Sequence, residues 1–180
     1  MRFAYADPPY FGLAKRFYGD PTYDSIDAHI ALVNRLVADF PDGWALSLTS
    51  NNLKDILPIC PRTVRVMAWV KPFCSFKPNV APAYAWEPVI VAGGRKPGRN
   101  SQSGRDWTSA SMAVRRGLRG AKPTPFCFWL FADVFHAKHD DCFVDLFPGS
   151  GAVSGAWDKW RNQLELLAVG ERERIAEAIA

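Results

Sequence analysis

Ile26, Ile30, Val33, Val37 and Phe40 recur at helical spacing behind the capping candidates Asp24 and Ser25, and Pro41-Asp42-Gly43 closes the run. This spacing predicts an amphipathic helix. Ahead of it, Phe3 to Ala6 is a short apolar run that reads as a buried strand, ended by a proline pair that neither a strand nor a helix would continue through. Further along, Trp44 to Leu48 predicts a strand, Asn52 to Leu57 a short helix closed by Pro58, and Thr63 to Val70 a β-branched strand. A proline-punctuated loop over 71–83 (Pro72, Pro78, Pro82) leads to a strand from Trp86 to Ala92 that stops at Gly93-Gly94. The last third predicts an apolar helix over Pro125 to Phe135, a strand over Cys142 to Leu146, a glycine turn and a helix over Ala152 to Trp160. A short strand over Gln163 to Leu166 and a polar helix over Arg172 to Ile179 follow. Strands alternating with helices predict an α/β fold, a mainly parallel sheet with helices on both faces.

At 180 residues the chain reads as a single domain over 1–180, large enough to close a core without disulfides or metal. Its richest apolar stretch, Phe126 to Phe135, is short and broken by Asp133, so no membrane span is expected. The first ten residues lack a basic-then-apolar leader pattern, and Cys60, Cys74, Cys127 and Cys142 form no CxxC pair. Both features favour a cytoplasmic protein with reduced thiols. His136, His139 and Cys142 are spaced three apart, but no fourth ligand stands in obvious reach, and a helix end running into a strand accounts for them without a metal.

The net charge of +4 is unevenly spread. Between Gly93 and Lys122, Arg95, Lys96, Arg99, Arg105, Arg115, Arg116, Arg119 and Lys122 face only Asp106, a local +7 that leaves the rest of the chain at −3. Residues 93–121, rich in Gly, Ser, Asn and Arg at their start, therefore read as a basic, mobile insertion with the footprint of a polyanion-binding loop; a solvated surface loop is the plainer alternative.

Two segments carry candidate chemistry, each at the tail of a predicted strand, where α/β sheets place their ligands. The first is Asp7-Pro8-Pro9-Tyr10. An exocyclic nucleobase amine is a poor nucleophile because its lone pair is delocalised into the ring. A carboxylate (Asp7) accepting one N–H and a carbonyl (Pro8, in a proline pair of fixed φ) accepting the other would localise and aim that pair, and the carboxylate would stabilise the charge that arrives with an alkyl group. Tyr10 offers a face for an extruded base, worth about 1–3 kcal/mol. A rigid loop entered through an Asx-turn is the bland alternative. The second segment is Asp145-Leu146-Phe147-Pro148-Gly149-Ser150-Gly151, with Gly155 beyond it. This glycine-rich turn from strand to helix lets a ligand approach backbone N–H groups. It departs from the strict dinucleotide fingerprint, and a nicotinamide enzyme would leave the first segment unexplained.

The order Asp-Pro-Pro-Tyr, basic stretch, Lys122-Pro123, then Asp145-x-Phe147-x-Gly149-Ser150-Gly151 resembles the permuted adenine-N6 DNA methyltransferases, in which the catalytic motif precedes the cofactor motif. Trp69-Val70-Lys71-Pro72-Phe73, Trp86-Glu87-Pro88-Val89-Ile90 and Gly120-Ala121-Lys122-Pro123 look most like the small enzymes of phages and prophages, and the resemblance spans nearly the whole chain. It implies a Rossmann-like S-adenosylmethionine (SAM)-dependent methyltransferase fold, with Asp7, Pro8, Pro9 and Tyr10 as the catalytic motif. It also implies a cofactor site of Asp7, Asp145, Phe147, Pro148, Gly149, Ser150 and Gly151, with Glu165 as the candidate for the cofactor ribose. DNA is the implied partner, contacted by Arg95, Lys96, Arg99, Arg105, Arg115, Arg116 and Arg119, with a homodimer or partner subunit to complete target recognition. A restriction-modification setting inside a bacterial host is part of the same resemblance. An RNA adenine-N6 enzyme and an inactive nucleic-acid-binding subunit of the same fold stay open. An N4-cytosine enzyme fits less well, since that group more often begins its motif with serine.

If the basic segment neutralises phosphates, binding to duplex DNA weakens with salt at a log–log slope of about −0.9 per phosphate. Replacing Arg115, Arg116 and Arg119 by Gln should flatten the slope measured by fluorescence anisotropy; an unchanged slope and affinity would return these arginines to the solvated surface.

Overall fold

The structure is a computed structural model that describes residues 1–73, 78, 80–98, 104–112 and 121–179, with side chains described as far as residue 167. Arg99, Arg115, Arg116 and Arg119 lie outside the described residues. Six strands, β1 (Arg2–Ala6), β2 (Gly43–Ser47), β3 (Arg65–Val70), β4 (Trp86–Gly93), β5 (Trp107–Ser109) and β6 (Cys142–Asp145), form one sheet in the order β5-β3-β4-β2-β1-β6. β1 runs parallel to both β2 and β6, β3 runs parallel to β5, and β4 is antiparallel to β2 and β3. Five of the six strands therefore point one way, which gives the sheet a common carboxyl edge.

Helices cover both faces. β1 alternates its side chains between two clusters, as strand geometry requires. Phe3 and Tyr5 face Phe126, Leu130, Phe131 and Trp157, carried by α4 (Thr124–Trp129), the π-helical turn Leu130–Val134 that continues it, and α5 (Ala152–Ile179). Ala4 and Ala6 face Leu32, Val33 and Leu36 of α2 (Ile26–Asp39). Burial on both faces explains why β1 and β2 read as continuous apolar runs rather than alternating ones. Ser25 caps α2 by accepting from the Asp27 N–H at 3.2 Å. Asp24, the other capping candidate, instead accepts from the N–H groups of Ala14 and Lys15 at the start of α1 (Ala14–Tyr18), a short helix the apolar pattern had not announced.

Two expectations are corrected. Residues 152–179 form one helix, so the predicted strand over Gln163–Leu166 does not exist; Gln, Leu, Glu and Ala favour the helix strongly, and that preference outweighs a four-residue polar–apolar alternation. The basic insertion also contains an ordered strand, β5. It pairs with β3 and is pinned by two indole N–H groups, Trp69 to the Ala110 carbonyl and Trp129 to the Arg105 carbonyl, both at 2.9 Å. Three residues are too few for periodicity to show.

Arg95 closes another part of that insertion. Its guanidinium pairs with both carboxylate oxygens of buried Asp141 at 2.9 Å and donates to the His136 carbonyl at 2.8 Å. The Met1 ammonium reaches the same carboxylate at 2.7 Å. Burial pushes the Asp141 carboxyl up, but Arg95 and the amino group hold it well below the usual carboxylate range. This contact joins the end of β4 to the start of β6.

Phe3 is fully buried, with Phe135, Phe143 and Trp157 rings at centroid distances of 4.8, 5.2 and 5.4 Å. Phe3→Ala should therefore cost about 3–5 kcal/mol, read as a lowered midpoint in urea unfolding.

Candidate active site

β1 and β6 end side by side, with Tyr5 in register with Asp145, and the Leu146 N–H donates to the Tyr5 carbonyl at 2.9 Å. The two segments singled out in the sequence, more than a hundred residues apart, thus leave the sheet from one edge.

Behind Asp7 stands a charged cluster. The Lys122 ammonium, at the foot of α4 and only 3% exposed, lies 2.9 Å from Asp7 Oδ1 and 2.8 Å from Oδ2. It also reaches Glu87 Oε2, from β4, at 3.4 Å. Lys71, just past β3, pairs with the other oxygen of Glu87. The Tyr10 hydroxyl is placed to donate to Glu87 Oε2 at 3.2 Å and, less closely, to Asp7 Oδ1 at 3.4 Å. The indole of Trp69 forms the floor, with the Lys71 and Lys122 ammonium groups 4.9 and 5.4 Å from its ring centroid. Deeper still, the Tyr5 and Ser47 hydroxyls share a hydrogen bond of 2.7 Å.

Two cations and two carboxylates make the cluster neutral, which is what allows Lys122 to be buried and the other three to be half-buried. Burial pushes the Asp7 carboxyl up from its ordinary value, against the pull of Lys122. At Glu87 burial acts in the same sense, but Lys122 and Lys71 hold that carboxyl below its usual value. Burial disfavours the charged form of Lys122, yet Asp7 and the tyrosines and Glu87 around it keep the ammonium well above an ordinary lysine. Burial also raises the Tyr10 phenol well above its usual value, so it remains a hydrogen-bond donor.

The glycine turn is built around Asp145. Its carboxylate accepts from the Phe147 N–H at 3.3 Å and from the Ser154 hydroxyl at 3.0 Å, folding the loop back onto the first turn of α5. Gly149 and Gly151 take φ of +46° and +71°, the left-handed region. A Cβ built on Gly151 would meet nothing within 4 Å, so the loop leaves its backbone open to a ligand. Phe147 is half-buried, edge-on to Tyr23 at 5.2 Å, and packs with the α2 side of the core. Pro148, Gly149 and Ser150 are exposed.

The remaining predicted residues are dispersed. Glu165 is exposed on α5 rather than at a strand end, so it does not occupy the position from which a ribose would be held. Lys96 and Arg105 are exposed, with the Arg105 guanidinium 5.3 Å from the Trp107 ring centroid, whereas Arg95 is committed to Asp141. Among the described residues, no group of three or more His, Cys, Asp or Glu side chains is placed to hold a metal ion, and no helix is long and apolar enough to cross a membrane. An open cleft of about 550 Å³ lies beside the loop that follows Tyr10, lined by Phe11, Gly12, Ser50, Asn52 and Lys54 among others.

Lys122, Glu87 and Lys71 escaped assignment from the sequence. Lys122 was counted with the basic segment, though its charge is spent inside the protein. A charge inside an otherwise apolar strand, as Glu87 is in Trp86–Val91, was the available signal, because such a residue needs a buried partner.

No protein-family model matches the chain, and no curated protein does. Among solved structures, M1.HpyAVI in complex with SAM superposes with a TM-score of 0.55 at 19% identity, covering 89% of this chain and 78% of that one. M1.HpyAVI alone gives 0.54 at 16% identity, covering 89% and 76%. The likeness shows a shared Rossmann-like α/β fold.

Gly151→Val forces a β-branched residue to positive φ and should cost on the order of 1–3 kcal/mol. Differential scanning calorimetry should show a lowered midpoint, whereas Gly155→Ala, at an open helical position, should not.

Proposed function

We propose that the chain is a SAM-dependent methyltransferase acting on the exocyclic N6 amine of adenine in DNA. One observation carries this reading: a half-buried carboxylate, Asp7, and an open glycine turn, Gly149 to Gly151, emerge from adjacent parallel strands at the same edge of the sheet. That arrangement suits a reaction between an amine and a small ligand held by backbone. The SAM complex of M1.HpyAVI, alike in fold, supports SAM as that ligand.

Asp145 to Gly151 would hold the cofactor: Asp145 fixes the turn, and the two left-handed glycines keep side chains out of its space. When bound, SAM supplies an electrophilic methyl group on a sulfonium. The chain's own residues prepare the acceptor. Asp7 accepts one N–H of the target amine and the Pro8 carbonyl accepts the other, which turns the nitrogen lone pair outward. The same carboxylate lies where positive charge gathers as the amine is alkylated, and burial strengthens that interaction. Tyr10, its hydroxyl tethered to Glu87, offers its ring for the base to stack upon. Exposed Lys96 and Arg105, with the basic residues of 93–121 that lie outside the described segments, supply charge for the phosphate backbone.

Adenine and DNA come from the motif resemblance, because the geometry would serve any exocyclic amine. The test is incubation of the purified chain with methyl-labelled SAM and either DNA or RNA, digestion to nucleosides, and mass spectrometry. N6-methyladenine from DNA supports the proposal. N4-methylcytosine, label confined to RNA, or binding without transfer would each overturn it in favour of a different activity. Asp7→Ala should lower the rate by about 10²–10³-fold while calorimetric SAM affinity survives in part; a near wild-type rate would remove Asp7 from the chemistry.

A further inference from the structure

The resemblance accounts for Asp7 and Tyr10 but leaves the cations behind them without a task. Lys122 is among the few buried charged residues of the described chain. Burying an ammonium costs several kcal/mol unless its partners compensate, so its placement must be read from what it touches. It is nearly equidistant from the two Asp7 oxygens, at 2.9 and 2.8 Å, and therefore sits against the edge between them. A carboxylate has lone pairs on that inner edge and one outer lone pair on each oxygen. Tyr10 approaches Oδ1. Among the described residues no donor approaches the outer side of Oδ2.

We propose that Lys122 is the positioning residue of this site: its ammonium holds the inner edge of the Asp7 carboxylate, keeps that group ionised, and leaves the outer lone pair of Oδ2 to the incoming amine. Glu87 is the counterweight. It takes the remaining reach of Lys122 and the hydroxyl of Tyr10, so the group that receives the amine and the ring that receives the base hang on one frame. Lys71 balances the second carboxylate.

The meaning of this role rests on the methyl-transfer reading, but its test does not. The groups facing Asp7 are Lys122 from the segment before α4, Glu87 from β4, Tyr10 from its own loop and Tyr5 from β1, with Lys71 acting through Glu87. Of these, Lys122 favours the Asp7 anion and Glu87 disfavours it, so removing each charge should move Asp7 in opposite directions. In a carbon-13 carboxyl NMR titration, with Asp7 assigned by Asp7→Asn, the Asp7 midpoint should rise by about 1–3 pH units in Lys122→Met. It should fall in Glu87→Gln. These opposite shifts establish the electrostatic coupling of Lys122 and Glu87 to Asp7; the acid limb of turnover separates positioning from a merely structural ion pair. If Lys122→Met does not fold, Lys122→Gln, which keeps a hydrogen-bond donor without the charge, takes its place and should give the same upward shift. Asp7 midpoints that stay put in every folded variant would overturn the proposal.

Turnover supplies a second readout. The anion is the competent form, so activity is lost as pH falls through the Asp7 midpoint, and in Lys122→Met that acid limb should move to higher pH while SAM affinity is little changed. An acid limb that stays in place would overturn the role in catalysis. Wild-type protein whose Asp7 responds as stated but which transfers no methyl group would count against the proposed activity and leave the positioning role standing.

Discussion

The parallel pairing of β1 with β6 is the constraint on which the site depends. In a parallel ladder the ends of the two strands coincide only when the register is right, and here Tyr5 opposite Asp145 brings Asp7 and Phe147 out together. A slip of one residue would turn Phe3 and Tyr5 toward α2 and the two alanines toward the aromatic cluster, exchanging large side chains for small ones on both faces. The register of the core and the geometry of the site are thus one requirement.

The charged cluster shows what that frame can carry. Four ionised side chains sit at the carboxyl edge, each with a partner of opposite sign, on the indole of Trp69. They come from the β1 exit, the end of β3, β4 and the start of α4. β4, the antiparallel strand, carries Glu87 to the centre because its register sets Trp69 opposite Glu87. Such a network is costly when incomplete and rigid when complete, which favours a site whose carboxylate must not wander.

Much of this was legible in the sequence and some was not, for physical reasons. Strands buried on both faces appear as continuous apolar runs, so β1, β2 and β4 were readable to within a residue or two, as was the amphipathic α2. Proline pairs and glycine turns marked the strand ends where the candidate residues stand. β5 was too short to show a period, and α1 depends on a cap from Asp24 ten residues downstream. The false strand at Gln163–Leu166 arose from weighing two alternating leucines above the helix preference of a longer segment. Within the basic segment, the internal partners of Arg95 and Lys122 were not legible. Charge counted along a sequence does not distinguish a lysine facing phosphate from one facing Asp7, or an arginine in solvent from one clasped by Asp141. Only tertiary partners make that distinction.

The place of β1 in the sheet also bears on how the molecule comes into being. It precedes the other strands of the sheet in the chain, yet of its two neighbours one begins at residue 43 and the other at residue 142. At ribosomal speeds of ~5–20 residues per second, β1 waits on the order of ten seconds with one edge unpaired. Contacts of such long sequence separation also slow the closing step. An apolar strand exposed for that time is an invitation to wrong partners. Slow production, or a chaperone at the exit, would therefore govern how much of this protein reaches its final form.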